Sequence, residues 1–102
     1  MKKLSKEEID RKIRALSAGW VLPQRDPYGK NNFINREFVF ENFIKAFAFM
    51  TAVAIVAEKV DHHPNWQNVY NKVSISLSTH DAGGITGRDF SLAAEIDSIF
   101  KD

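Results

Sequence analysis

The 102-residue chain has no cysteine, only three prolines and only five glycines. Without thiols it has no disulfide framework, no thiolate metal site and no cysteine nucleophile, which accords with a reducing compartment. A dominant charge sign is missing too: 14 Lys and Arg against 13 Asp and Glu leave a net charge of +1. That is too little for a general electrostatic attraction to nucleic acid or to an anionic membrane. No apolar run reaches the ~20 residues of a membrane-spanning helix. The charged start MKKLSKEEIDRK lacks the apolar segment of a signal peptide. Phosphate-cradling glycine loops, the G-x-S-x-G turn, internal repeats and low-complexity segments are all absent. These absences point to a cytoplasmic protein, with a nuclear location equally open to so small a chain. The composition, 44% hydrophobic and 26% charged, fits one globular domain spanning residues 1–102.

Periodicity divides the chain into seven elements. Ser5 to Ser17 is expected to be helical: Ser5 and Glu8 have the form of a capping box, Ile9, Ile13 and Leu16 recur at helical spacing, and Gly19 follows as a stop. A short strand is expected at Trp20 to Leu22, then a proline-bearing turn, then a strand within NFINREFVFE, where Phe33, Phe38 and Phe40 are apolar. Glu41 to Val60 has no Gly or Pro and predicts the long helix. Phe43, Phe47, Met50, Ala54 and Ala57 form its expected inward stripe. Ile44, Ala48, Phe49 and Ile55 spread apolar surface beyond that stripe, so a second buried side, against another subunit, is expected. NWQNVYNKVSISLSTH reads as two strands joined at Tyr70-Asn71-Lys72. Val73, Ile75 and Leu77 face the core, while Ser74, Ser76, Ser78 and His80 face away. The last helix runs from Arg88 to Lys101, opened by a capping-box-like Thr86 and Asp89, with Leu92, Ile96, Ile99 and Phe100 inward. This order predicts an α+β domain with an antiparallel sheet covered on one face.

Chemistry concentrates in VDHHPNW, which puts His62 and His63 directly before Pro64. Pro64 excludes the helical region for His63, so the long helix ends in a stiff exit that fixes both imidazoles. The third histidine, His80, closes the SISLSTH run. Three functions suit three histidines. A zinc site is disfavoured, because neighbours in an extended segment point to opposite sides and no H-x-H or H-x-x-x-H spacing occurs. General acid–base catalysis suits imidazoles that titrate near neutrality, at about pH 6.5 unperturbed. Surface histidines on a partner-binding module need no chemistry at all. Trp66 and Tyr70 are either core aromatics or a flat wall for a planar ligand.

The run EKVDHHPNWQNVYNKVSISLSTHDAGGITGRDFSLA, with the upstream GW, Phe38, Phe40 and AFAFM at 46–50, closely resembles the pterin-4a-carbinolamine dehydratases. In animals that family also serves as dimerisation cofactor of a homeodomain transcription factor. The resemblance implies a four-stranded antiparallel sheet with three helices packed on one face. It implies dehydration of a 4a-hydroxytetrahydropterin to the quinonoid dihydropterin, in the recycling of tetrahydrobiopterin after an aromatic amino-acid hydroxylase has used it. His62, His63 and His80 would be the acid–base group, with His63 and His80 favoured for direct proton transfer. Asp61, Pro64, Trp66, Ser78, Thr79 and Asp81 would line the pterin site with them, and Glu58, Arg88 and Asp89 would support it. No metal and no cofactor are implied, since the pterin is the substrate. A homodimer or homotetramer is implied, with no direct contact to nucleic acid or membrane. The alternative is a non-catalytic oligomeric binding module, or a transcriptional coactivator, on the same fold.

Overall fold

A computed structural model of the chain describes residues 2–23 and 32–101. In chain order the elements are α1 (Lys6–Ala15), β1 (Ile34–Val39), α2 (Phe43–Lys59), β2 (Asn65–Val69), β3 (Lys72–Leu77) and α3 (Gly87–Lys101). A single 3-10 turn, His80–Ala82, precedes the last helix. β3 is the central strand. β1 pairs antiparallel along one edge, from Ile34↔Leu77 to Val39↔Lys72, and β2 along the other, from Asn65↔Ser76 to Val69↔Lys72.

The fold is α+β, as expected, but the sheet has three strands among the described residues rather than four. Trp20 to Leu22 is reduced to one bridge, in which Val21 and Asn35 exchange backbone hydrogen bonds at 2.8 and 2.9 Å. Pro23 comes two residues later and has no N–H with which to extend a ladder. The turn expected after it falls at 24–31, outside the described residues.

The core lies between one face of the sheet and the helices. Ile34, Phe38, Val73, Ile75 and Leu77 meet Ala46, Phe49 and Val53 of α2 and Leu92, Ala93 and Ile96 of α3. α1 adds Ile9, and the Leu4 N–H donates to the Ile85 carbonyl at 2.7 Å. The opposite face is polar: the Asn35 amide donates to Ser74 Oγ, Ser76 Oγ and the Ile75 carbonyl at 3.0–3.1 Å.

One expectation about which side faces inward is corrected. The buried stripe of α2 is Ala46, Phe49, Val53 and Ala57, whereas Phe43 and Phe47 are 46% and 54% exposed. A helix apolar on most of its circumference does not announce which stripe the sheet will take. In β1 the inward residues are Ile34, Arg36 and Phe38 by their pairing with Leu77, Ile75 and Val73. Arg36 is therefore an inward charge. Its Nη1 donates to Asp97 Oδ1 at 2.8 Å, and the Trp20 Nε1–H donates to both oxygens of the same carboxylate at 2.8 and 3.0 Å. The guanidinium lies 4.5 Å from the Phe38 ring centre. Gly19 allows this approach. Its φ is +122°, and a Cβ there would stand 2.6 Å from Arg36 Nε.

Candidate active site

The exit of α2 is built from backbone bonds. His62 N–H reaches back to the Ala57 carbonyl at 3.0 Å and Asp61 N–H to that of Glu58 at 3.2 Å, the paired bonds of a Schellman close. The residue after the cap must then be left-handed, and Asp61 has φ +52°. Asp tolerates this region better than most non-glycine residues. Arg88 of α3 secures the turn: its Nη2 donates to the Asp61 carbonyl at 2.6 Å and reaches that of Val60 at 3.5 Å. Asp61 thus serves the site through its backbone; its exposed carboxylate makes no hydrogen bond among the described residues.

This turn separates the two adjacent histidines. His62 is buried, 8% exposed, and its Nε2 lies 2.6 Å from Oδ1 of the fully buried Asp89. Asp89 Oδ2 accepts the Thr79 hydroxyl at 2.8 Å and the Thr86 N–H at 2.9 Å. Thr79 Oγ1 and Thr86 Oγ1 stand 2.7 Å apart, and the Arg88 N–H donates to Thr86 Oγ1 at 3.2 Å. The expected capping-box-like start is half formed: the Asp89 carboxylate takes the Thr86 N–H, but the Thr86 hydroxyl caps the Arg88 N–H rather than that of Asp89, and the same carboxylate holds an imidazole. His63 instead points to solvent, where its Nε2 is 2.8 Å from Glu58 Oε1. That pair is exposed on both sides, so it contributes little to stability.

The other expected site residues fall around this frame. Thr79 lies on the core side, bridged to Gly84 by backbone bonds of 2.8 and 3.4 Å, and this bridge closes the His80–Ala82 turn. His80 and Asp81 are exposed on that turn, while Ser78, Pro64 and Trp66 are half-buried. One carboxylate, Asp89, thus links the His62 turn to the strand end that carries His80. No hydrogen bond joins one histidine to another among the described residues. Nor do those residues hold a group of three His, Asp or Glu side chains arranged for a metal ion. Two hollows flank the region. One, of about 630 Å³, lies between α1, the end of α2 and α3, with His62, Arg88, Lys12 and Glu95 on its wall. The other, of about 340 Å³, lies on the polar face of the sheet over Trp66, Gln67, Ser74 and Ser76.

A family model described as pterin 4 alpha carbinolamine dehydratase matches residues 2–99. The chain belongs to the pterin-4a-carbinolamine dehydratase family. Among similar curated proteins, one from Prochlorococcus marinus is 62% identical over 82 residues, covering 80% of this chain and 78% of the relative. One from Solibacter usitatus is 48% identical over 97 residues, covering 95% and 94%. Both carry the dehydratase name as a provisional one. A solved structure described as a transcriptional coactivator/pterin dehydratase from Brucella melitensis matches with a TM-score of 0.87 at 38% identity, covering 96% of this chain and 98% of that one. A pterin dehydratase-like protein described as a RuBisCO assembly factor in the α-carboxysome matches with a TM-score of 0.61 at 25% identity, over 71% of this chain and 83% of that one. In this pterin-4a-carbinolamine dehydratase family member, Thr86 is the site-forming residue that sequence reasoning used only as a helix cap. The signal was there, because a Thr three residues before an Asp at a helix start puts both side chains on the first turn.

Proposed function

We propose that this chain is a 4a-hydroxytetrahydropterin dehydratase, a hydro-lyase that removes water to leave the quinonoid dihydropterin. The observation that carries the reading is the His62 imidazole, buried against Asp89 at the rigid exit of α2 with two solvent-facing imidazoles on the adjoining turns. A solvated histidine with no task has no need of a buried carboxylate fixed by two further donors. The reaction breaks the C4a–O bond. The electron pair leaves on oxygen, which takes a proton, while the neighbouring ring N–H gives up its proton as the C=N bond closes. Imidazoles supply both transfers near neutral pH. His62, His63 and His80 form the acid–base group, with the exposed His63 and His80 favoured for protonating the leaving oxygen. Asp61, Pro64, Trp66, Ser78 and Asp81 border the pterin, Thr79 steadies Asp89 from the core side, and Glu58 holds His63. Such a carbinolamine arises when an aromatic amino-acid hydroxylase consumes its tetrahydropterin, so a functional link to that reaction is expected.

The test is the lifetime of a 4a-hydroxytetrahydropterin generated in situ by phenylalanine hydroxylase and followed by its transient absorbance. Wild type is expected to shorten it, and folded His63→Ala and His80→Ala variants to lose most of that effect. A decay that wild type leaves unchanged would falsify the enzyme reading.

A second reading, a partner-binding module, is favoured by the exposed apolar face of α2 and by the coactivator and assembly-factor descriptions of the two structural neighbours. The two readings are compatible in one protein. We take the first occupant of that face to be a second copy of this chain, giving a homodimer or homotetramer.

A further inference from the structure

We infer that His62 exchanges its proton through Nδ1 alone, and that Asp89, Thr79 and Thr86 are the positioning residues that impose this. The inference rests on the dehydratase reading for its substrate, but its structural half is independent of it. Two donors in the network have no choice of direction, because a backbone N–H can only donate. The Arg88 N–H makes Thr86 Oγ1 an acceptor, and the Thr86 N–H makes Asp89 Oδ2 one. The Thr79 hydroxyl, 2.8 Å from the same Oδ2, spends its only proton there. The 2.7 Å contact between the two threonines must then be Thr86 donating to Thr79. Every donor in the chain is thereby satisfied, and Asp89 Oδ1 remains as a pure acceptor facing His62 Nε2 at 2.6 Å. Nε2 carries a proton in either charge state of the ring, so the nitrogen that gains and loses one is Nδ1.

Nδ1 makes no hydrogen bond among the described residues, although the ring is only 8% exposed. A buried ring nitrogen without a partner needs an explanation. Substrate supplies the missing partner. The lone pair of the neutral ring takes the proton released from the pterin ring N–H. The resulting imidazolium keeps its Nε2–H on the Asp89 carboxylate, opposite in charge and already oriented. An exposed imidazolium protonates the leaving hydroxyl, and water departs.

The experiment pairs nitrogen NMR of the ¹⁵N-labelled imidazoles with turnover of the carbinolamine generated in situ. In wild type the His62 ring is expected to show a protonated Nε2 and a bare Nδ1. Asp89→Asn keeps the shape, but its amide NH₂ is driven toward His62, because the carbonyl must serve the Thr86 N–H. The ring should then switch to the Nδ1–H form, and kcat should fall by at least about tenfold. Thr79→Val leaves the carboxylate in place and is expected to lower kcat several-fold with little change in KM, whereas Thr79→Ser restores it. An Nδ1–H ring in active wild type, or a folded Asp89→Asn variant with wild-type kcat, overturns the assignment while leaving the dehydratase reading intact. A wild type without effect on the carbinolamine sinks that reading, and with it the substrate partner of Nδ1, whatever the tautomer.

Discussion

Asp97 and Asp89 sit on the same helix and are both buried, yet they hold different kinds of partner. Asp97 accepts from the Trp20 indole and the Arg36 guanidinium, and its task is to let a charge sit on the inward face of β1. The side chains of the pair are only 13% and 7% exposed. Replacing a buried pair with apolar residues is often neutral, but removing one partner strands the other charge. Asp97→Ala is therefore expected to cost about 3 kcal/mol or more in urea unfolding. A loss below about 1 kcal/mol would mean that water or another acceptor reaches Arg36. The variant should leave carbinolamine turnover intact in the folded fraction, because Asp97 contacts none of the histidines.

At the scale of the element, α1 is marginal and its start matters. The Ser5–Glu8 capping box is complete, with bonds of 2.9 and 3.2 Å, and only Ile9 is fully buried. The Ser5 backbone N–H, then the Ser5 hydroxyl, hold the Glu8 carboxyl below its ordinary range. A depressed folded value means that the contribution is present above the unfolded value and is lost as pH falls through the folded one. The first turn of α1 should thus fray on acidification below the usual carboxylate range. The check is the Glu8 amide shift across an acid titration. Glu8→Gln should abolish that dependence, while retention of it would assign the fraying to another group.

α2 poses the opposite problem, since it has more apolar surface than one sheet can cover. Ile44 is 77% and Ile55 66% exposed, with Phe47 alongside at 54%, and together they make a continuous outward stripe at helical spacing. Contiguous apolar surface of this kind marks an interaction site. In light scattering, the double variant Ile44→Lys and Ile55→Lys is expected to lower the mass to that of one chain. An unchanged mass would move the subunit contact elsewhere.

At the scale of the whole molecule, stability should be graded outward from β3, the strand paired on both sides. Val73, Ile75 and Leu77 are at most 1% exposed, while α1 has one fully buried residue, Ile9, with Leu4, Ile13 and Leu16 only partly buried against the core and one backbone bond from Leu4. Native-state hydrogen exchange should find the β3 amides opening only with global unfolding and the α1 amides opening well before it. Equal protection in both would show that α1 belongs to the same cooperative unit. The candidate site lies within the stable part. The His62 turn and α3 are 27 residues apart in sequence, and the β2–β3 hairpin returns the chain between them.

The sequence by itself determined whatever depends on neighbours in the chain. Ser5 with Glu8 and Thr86 with Asp89 marked two helix starts. Alternating Val73, Ile75 and Leu77 marked the core face of β3, and Pro64 marked the abrupt end of α2. The family was legible for the same reason, since its motif is a linear run of residues. Tertiary structure alone decided what depends on partners far along the chain. Arg36 breaks the alternation of β1 and becomes intelligible only beside Asp97, 61 residues later. The inward stripe of α2 could be chosen only by the sheet it packs on. Pro23 limited the expected fourth strand to one bridge, because it lacks the N–H that would face β1 two residues after Val21. His62 and His63 are neighbours of identical chemistry in the sequence. Burial of one against Asp89, and exposure of the other beside Glu58, is what distinguishes them, and burial is a property of the packed molecule.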